Sequence, residues 1–241
     1  MPRFILRVWL PDRPGALGLV ATRVGAARGE IVGIDILERG AGRAIDELVV
    51  ELPDESLVEL LLRQVRAVDD VDVEDLRRAP DWRRDPVIAG VETAAELAAA
   101  THPEDLLDRL VHHTGIDFQA QWAAVVDHAE ATIRSSTGTT PSAWWLKAFV
   151  EGTRSSPTLA AHESGPKELA WAPLASAGLT LVLGRPARPF RARERRQLVV
   201  LARIADTRWH EVPRPLARGR GSARQSTGVS PLGSYDGRNG W

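Results

Sequence analysis

The chain contains no cysteine. Without thiols there is no disulfide staple, no thiolate zinc site, no cysteine nucleophile and no thioether anchor for a chromophore. That absence fits a reducing, cytoplasmic setting. Lysine is almost missing as well: Lys147 and Lys167 are the two present, and arginine carries the rest of the positive charge. The formal net charge of -1 leaves no overall attraction to nucleic acid or to an anionic lipid surface. No run approaches the roughly 18 consecutive apolar residues that a membrane span needs. Met1-Pro2-Arg3 leads straight into an alternating segment, not into a basic and then apolar leader. Neither a membrane nor a nucleic acid is therefore expected as a partner. What is present is ordinary globular material, 44% hydrophobic and 26% charged, in 241 residues. That length suits one large domain or two small ones.

Phe4 to Leu10 alternates with period two, which predicts a strand burying Phe4, Leu6, Val8 and Leu10. Pro11 to Gly15 breaks it. Leu17, Val20, Ala21 and Val24 then recur at helical spacing, with Pro14 suited to the first turn and Gly29 to the C-terminal cap. A second strand is expected over Ile31 to Glu38 with Val32, Ile34 and Ile36 inward. Gly40-Ala41-Gly42 supplies a hairpin turn, and Ile45 to Leu52 a third strand with Leu48, Val50 and Leu52 inward. A helix over Glu55 to Arg66 and a short strand from Val71 complete a βαββαβ order, the ferredoxin-like arrangement. Ile5 and Trp9 fall on the outer face of the first strand. Such a pair calls for cover, from a second subunit or from the rest of the chain.

The run Leu10-Pro11-Asp12-Arg13-Pro14-Gly15-Ala16-Leu17, followed by Arg28-Gly29-Glu30-Ile31 and the hairpin, resembles an ACT domain over roughly residues 3 to 77. The resemblance implies a module that binds amino acids and pairs with a second copy, so a homo-oligomer, most simply a dimer, is expected. It makes Asp12, Arg13, Pro14, Gly15, Ala16 and Leu17 the candidate ligand-binding residues. Elementary physics agrees with that loop. A helix N-terminus offers unpaired N–H groups and a partial positive charge to a carboxylate, and Gly15 lets a ligand approach the backbone. Asp12 can cap the turn or face a ligand ammonium. Many amino-acid-binding members carry an asparagine where this chain has Ile31. An apolar side chain does not replace an amide. Asp35, along the same strand, is the candidate substitute.

Arg77 to Pro86 is charged and bounded by prolines, and reads as a linker over residues 79–86. Beyond it, Val87 to Ala100 and Glu104 to His113 look helical, Phe118 to Val126 strand-like, and Ala131 to Ser135 its partner strand. A short helix over Pro141 to Glu151, strands at Glu168 to Leu174 and Leu179 to Leu183, and a final helix over Arg191 to Glu211 follow. Leu179 to Pro186, then Pro189-Phe190 and Glu194 to Leu198, resembles the C-terminal half of a GAF domain, which extends the likeness to residues 87–211. That resemblance implies a regulatory role and names no ligand. Trp122, Trp144, Trp145 and Trp171 are candidates for a cavity lining or for plain core. Residues 212–241, rich in glycine, serine, proline and arginine, read as a disordered basic tail.

No catalytic set or cofactor motif emerges. Asp108 and His112 have the i,i+4 spacing of two metal ligands but lack a third, and Ser135 to Thr140 and Glu163 to Pro166 match neither a nucleophile elbow nor a phosphate loop. The expectation is an α+β protein with an ACT-like domain (1–78) and a GAF-like domain (87–211). Its role would be that of a non-catalytic sensor, without cofactor, binding an amino acid or related small molecule and signalling to a protein partner. The alternative is a ligand-free dimerisation scaffold.

Overall fold

The alternation at the N-terminus is realised as β1 (Arg3–Pro11), whose Phe4, Leu6, Val8 and Leu10 all enter one apolar core. The computed structural model describes residues 1–80, 85–155 and 166–213. Part of the expected linker (81–84) and nearly all of the expected tail (214–241) lie outside the described residues. After β1 come α1 (Ala16–Ala26), β2 (Glu30–Gly40), β3 (Arg43–Glu51), α2 (Val58–Arg66) and β4 (Asp72–Arg78). The four strands form one antiparallel sheet in the order β2-β3-β1-β4. Both helices cover the same face. Val20 and Val24 of α1 and Leu61 and Val65 of α2 are fully buried against Leu6, Leu48, Val50 and Leu52. Each such side chain contributes about 1.5–3 kcal/mol relative to an exposed one.

Two local features depart from the sequence expectation, each for a packing reason. Arg28, not Gly29, takes the left-handed backbone after α1, at φ 61°. Gly29 is needed for space: a Cβ there would lie 2.9 Å from Val24 and 3.0 Å from Val50. In β2 a bulge between Ile31 and Gly33 shifts the alternation by one residue. Ile31 still packs on the helix-side core, but Val32, Ile34 and Ile36 are 46%, 49% and 39% exposed and do not enter it. Because β2 is an edge strand, α1 and α2 do not extend over those three. The hairpin turn at Ala41 (φ 51°) and Gly42 (φ 76°) has the positive φ pair that its tightness demands.

The second sheet carries β5 (Trp122–Asp127), β6 (Thr132–Gly138), β7 (Leu169–Leu174) and β8 (Leu179–Gly184), antiparallel in the order β6-β5-β8-β7. On one face lie α3 (Pro86–Ala98), α4 (Pro103–Asp117) and α6 (Ala192–Glu211), around a core that includes Leu97, Leu107, Leu110, Val125, Leu181, Leu183, Leu198 and Ala202. On the other face α5 (Ala143–Ser155) buries Leu146 and Val150 against Trp122, Trp171 and Val182. The strand expected from Phe118 begins only at Trp122. Phe118 caps α4, and Gln119 takes φ 48°, a turn that no strand accommodates. Trp122 and Trp171 are core residues, whereas Trp144 and Trp145 are 73% and 46% exposed. The molecule is thus α+β with two four-stranded antiparallel sheets. Among the described residues no helix is long and apolar enough to cross a membrane.

The helix-free face of the first sheet is covered by the second unit of the same chain. Ile5 is fully buried there, and Trp9 lies under the guanidinium of Arg191, 5.0 Å from its ring centroid. The cover that Ile5 and Trp9 require is supplied within the chain.

Candidate functional site

The loop from Asp12 to Gly15 hangs from the paired ends of β1 and β3. The Asp12 N–H donates to the Gly42 carbonyl at 2.9 Å and the Arg13 N–H to that of Pro11 at 2.8 Å. Gly15, at φ 85°, turns the chain into α1, and no side chain caps that helix. The first N–H groups of α1 therefore meet the loop without a side-chain acceptor. Asp12 is a free-standing carboxylate on the rim, 3.9 Å from Nε of Arg39. A Cβ on Gly15 would meet nothing within 4 Å, so that side of the turn is open, while the Ala16 N–H already donates to the Arg13 carbonyl at 3.3 Å.

Beneath this loop sits Asp46. It pairs with Val8 on one side and Ile36 on the other, on the face of the sheet that carries the helices. Asp46 is 2% exposed, and its Oδ1 has no hydrogen-bond partner. Burial pushes its carboxyl above the usual range; the Arg39 guanidinium opposes this and the Asp12 carboxylate adds to it. Asp46, Asp12 and Arg39 thus lie within electrostatic reach of one another, and Asp12 stands in the loop that leads into α1.

The sequence candidates separate in space. Asp12, Arg13, Pro14 and Gly15 share the exposed loop, whereas Ala16 is buried in the core and Leu17 packs against it. Ile31 pairs with Val50, at the far end of the sheet from the loop, roughly 20 Å away at strand rise. Asp35 is on the opposite face from Ile31 because of the bulge, and makes an ion pair with Arg193 of α6. Neither belongs to the loop site. Asp46 and Arg39 do, and were missed. A charge at 46 in the row Ala44, Leu48, Val50 and Leu52 was the available signal.

The seam between the two sheets holds a second constellation. Arg7, 1% exposed, donates through Nη2 to Glu47 Oε2 at 2.8 Å and through Nη1 to the Pro189 carbonyl at 3.2 Å. Arg185 donates to the Phe118 carbonyl at 2.7 Å and to both oxygens of Glu194, at 2.8 and 3.1 Å. Burial works against the Glu194 anion, but Arg185 and Arg7 outweigh it and hold the carboxyl below its usual range. Arg191 pairs with Glu74 across the seam. Beside these pairs lies a cavity of about 530 Å³, lined from β2, β4, α3, α4 and the turn before α6.

No family model matches the chain, and no curated protein is matched to it by sequence. Among solved structures, a formyltetrahydrofolate deformylase from Pseudomonas putida KT2440 is similar at 15% identity and a TM-score of 0.26, over 42% of this chain. The chain spans 41% of that protein's length. An unknown protein from Galdieria sulphuraria is similar at 14% identity and a TM-score of 0.29, over 87% of this chain and 92% of the other. Likenesses at this level assign neither fold family nor activity to the chain.

Proposed function

We propose that the chain is a non-catalytic regulatory sensor that binds a free amino acid at the Asp12–Gly15 loop and passes the event to a protein partner. The observation that carries this reading is Asp46: a buried carboxylate with an unpartnered oxygen, within electrostatic reach of Asp12 in the loop that leads into α1. A carboxylate in that state costs stability unless something compensates it. A ligand ammonium between Asp46 and Asp12 compensates it, while the ligand carboxylate rests on the first N–H groups of α1. The order β2-β3-β1-β4 with both helices on one face supports a ferredoxin-like, ACT-like first domain. A four-stranded sheet with a long last helix supports a GAF-like second one. The seam ion pairs give a binding event on the first domain a route to the second. Asp46→Asn and Asp12→Ala separate ligand recognition from folding in such a sensor. The test is a thermal-melt screen against the twenty amino acids, since a ligand of the native state raises stability by mass action, about 2.7 kcal/mol at 100 times its Kd. A rise with one or a few amino acids supports the sensor; no rise with any of them removes it.

The scaffold reading draws on a different observation. Val32, Ile34 and Ile36 stand exposed along the unpaired edge strand β2, which is a template for a second copy. Ile5 and Trp9 no longer argue for a dimer, because this chain covers them. Sedimentation at micromolar concentration tests it: a dimer supports pairing through β2, and a 26.3 kDa species alone removes it.

A further inference from the structure

The seam cavity has a charge balance that its walls do not close. Its volume of about 530 Å³ lies within the range of sites for small organic molecules. Arg7 and Arg77 both donate to Glu47, Arg185 is held by Glu194, and Arg193 pairs with Asp35. Asp117, the remaining carboxylate on the wall, accepts from the Thr93 hydroxyl at 2.6 Å. Arg188 is different. Among the described residues it makes no ion pair; its guanidinium donates only to Gln119, to Oε1 at 2.7 Å and to the carbonyl at 3.2 Å.

We propose that this cavity binds a small organic carboxylate with an apolar body and no ammonium group, anchored on the guanidinium of Arg188. The proposal uses none of the loop residues and stands apart from the amino-acid site. One surplus guanidinium matches one monoanion, and its planar fork suits a carboxylate. Leu37, Ala89, Ile116 and Phe118 supply the apolar part of the lining, and His112 and His113 add imidazole nitrogens. An ammonium is disfavoured here, because the wall carries five guanidiniums, Arg7, Arg77, Arg185, Arg188 and Arg193, against four carboxylates, Asp35, Glu47, Asp117 and Glu194. The state of Arg188 agrees: burial, with Arg185 and Arg77 adding to it, pushes its pKa down to about 9. A bound anion relieves that stress. A ligand in this cavity touches β2 and β4 on one side and α4 and the Arg185–Phe190 turn on the other, so it bridges both halves of the chain.

The experiment is calorimetric titration of the full chain with three des-amino acids, 4-methylpentanoate, 3-phenylpropanoate and indole-3-propanoate. The matched amino acids leucine, phenylalanine and tryptophan form one control arm, and inorganic phosphate the other. At least one des-amino acid is expected to bind. Arg188→Gln is expected to weaken that binding about tenfold or more, as loss of a charge-assisted pair does. Ile116→Trp, which adds bulk to the apolar wall and leaves the Arg188 guanidinium in place, is expected to weaken it also, and decides the matter should Arg188→Gln not fold. Gly15→Val is expected to leave it unchanged, which keeps this result distinct from that of the loop site. Binding of phosphate in place of the carboxylates overturns the proposal. So does the absence of carboxylate binding, or binding that both cavity variants retain.

Discussion

Arg7 and Glu47 stand opposite each other on β1 and β3, joined at 2.8 Å, with both side chains almost wholly withdrawn from solvent. The pair sits on the sheet face that the second unit covers, and Arg7 also reaches the Pro189 carbonyl of that unit. Arg7→Ala takes from the buried Glu47 the closer of two guanidiniums and leaves Arg77 at 3.2 Å. The expected loss is about 3 kcal/mol, the lower end for breaking a buried pair. Urea unfolding reads it, and adding Glu47→Leu to Arg7→Met is expected to recover part of the loss. A loss within 0.5 kcal/mol, the scale of about any surface change, contradicts a packed seam.

Asp46 and Glu194 are expected to respond to pH in opposite senses. Asp46 is raised by burial, so the folded chain holds its proton more tightly than the unfolded chain does. Its contribution favours folding in acid and turns into a cost as pH rises from the ordinary value of 3.8 through the folded-state value. Asp46→Asn is therefore expected to melt higher than the parent at pH 7, with the difference vanishing below about pH 4. Glu194 is lowered despite its burial, through Arg185 and Arg7. Its contribution is complete above the ordinary value of 4.5 and is lost as pH falls through the folded-state value. Glu194→Gln is expected to melt lower than the parent at pH 7 and to converge with it in acid. Parallel pH profiles for the two variants contradict this assignment.

Two glycines of the second sheet are expected to differ sharply. A Cβ on Gly184 falls onto the indole of Trp122, itself buried in the α5-side core. Gly184→Ala is expected to cost about 2–3 kcal/mol through overpacking. Gly178, at φ 70°, has nothing within 4 Å, so Gly178→Ala costs only its backbone term, about 1 kcal/mol. Thermal melts of the two variants, compared directly, check the order. Equal losses contradict the packing of Trp122 against β8.

The elements were largely legible because their signals are local. Alternation marked β1 and β3, and the Leu and Val spacing marked α1, α2 and α6. The exposure of β2 was not legible: Ile34 and Ile36 stand opposite Leu48 and Asp46 on the helix-bearing face, as their alternation suggests, but on an edge strand that the helices do not reach they stay in solvent. The loop Asp12–Gly15 was visible from its own chemistry, but Asp46 arrives there through strand register, 34 positions on in the sequence. The seam was hidden for the same reason. Arg7, Glu47, Arg185, Arg188 and Glu194 meet only after two sheets have formed and docked. What the sequence did offer was Arg7 between Ile5 and Trp9 on the outer face of β1, a charge where cover was already called for.

Calorimetric titration of three chains shows whether the Asp12–Gly15 loop holds an amino acid. The parent, Gly15→Val and Asp46→Asn are each titrated with the amino acids that raise the parent's melting temperature. Gly15→Val puts a branched side chain on the turn into α1 and strains it at φ 85°, and Asp46→Asn removes the buried carboxylate while stabilising the unliganded fold. Saturable binding to the parent and at least tenfold weaker binding to both variants are expected, a difference of about 1.4 kcal/mol or more. Asp46→Asn would then be the more stable and the worse binder at pH 7. Parent-like affinity in both variants, or no binding to the parent at all, contradicts an amino-acid site at this loop.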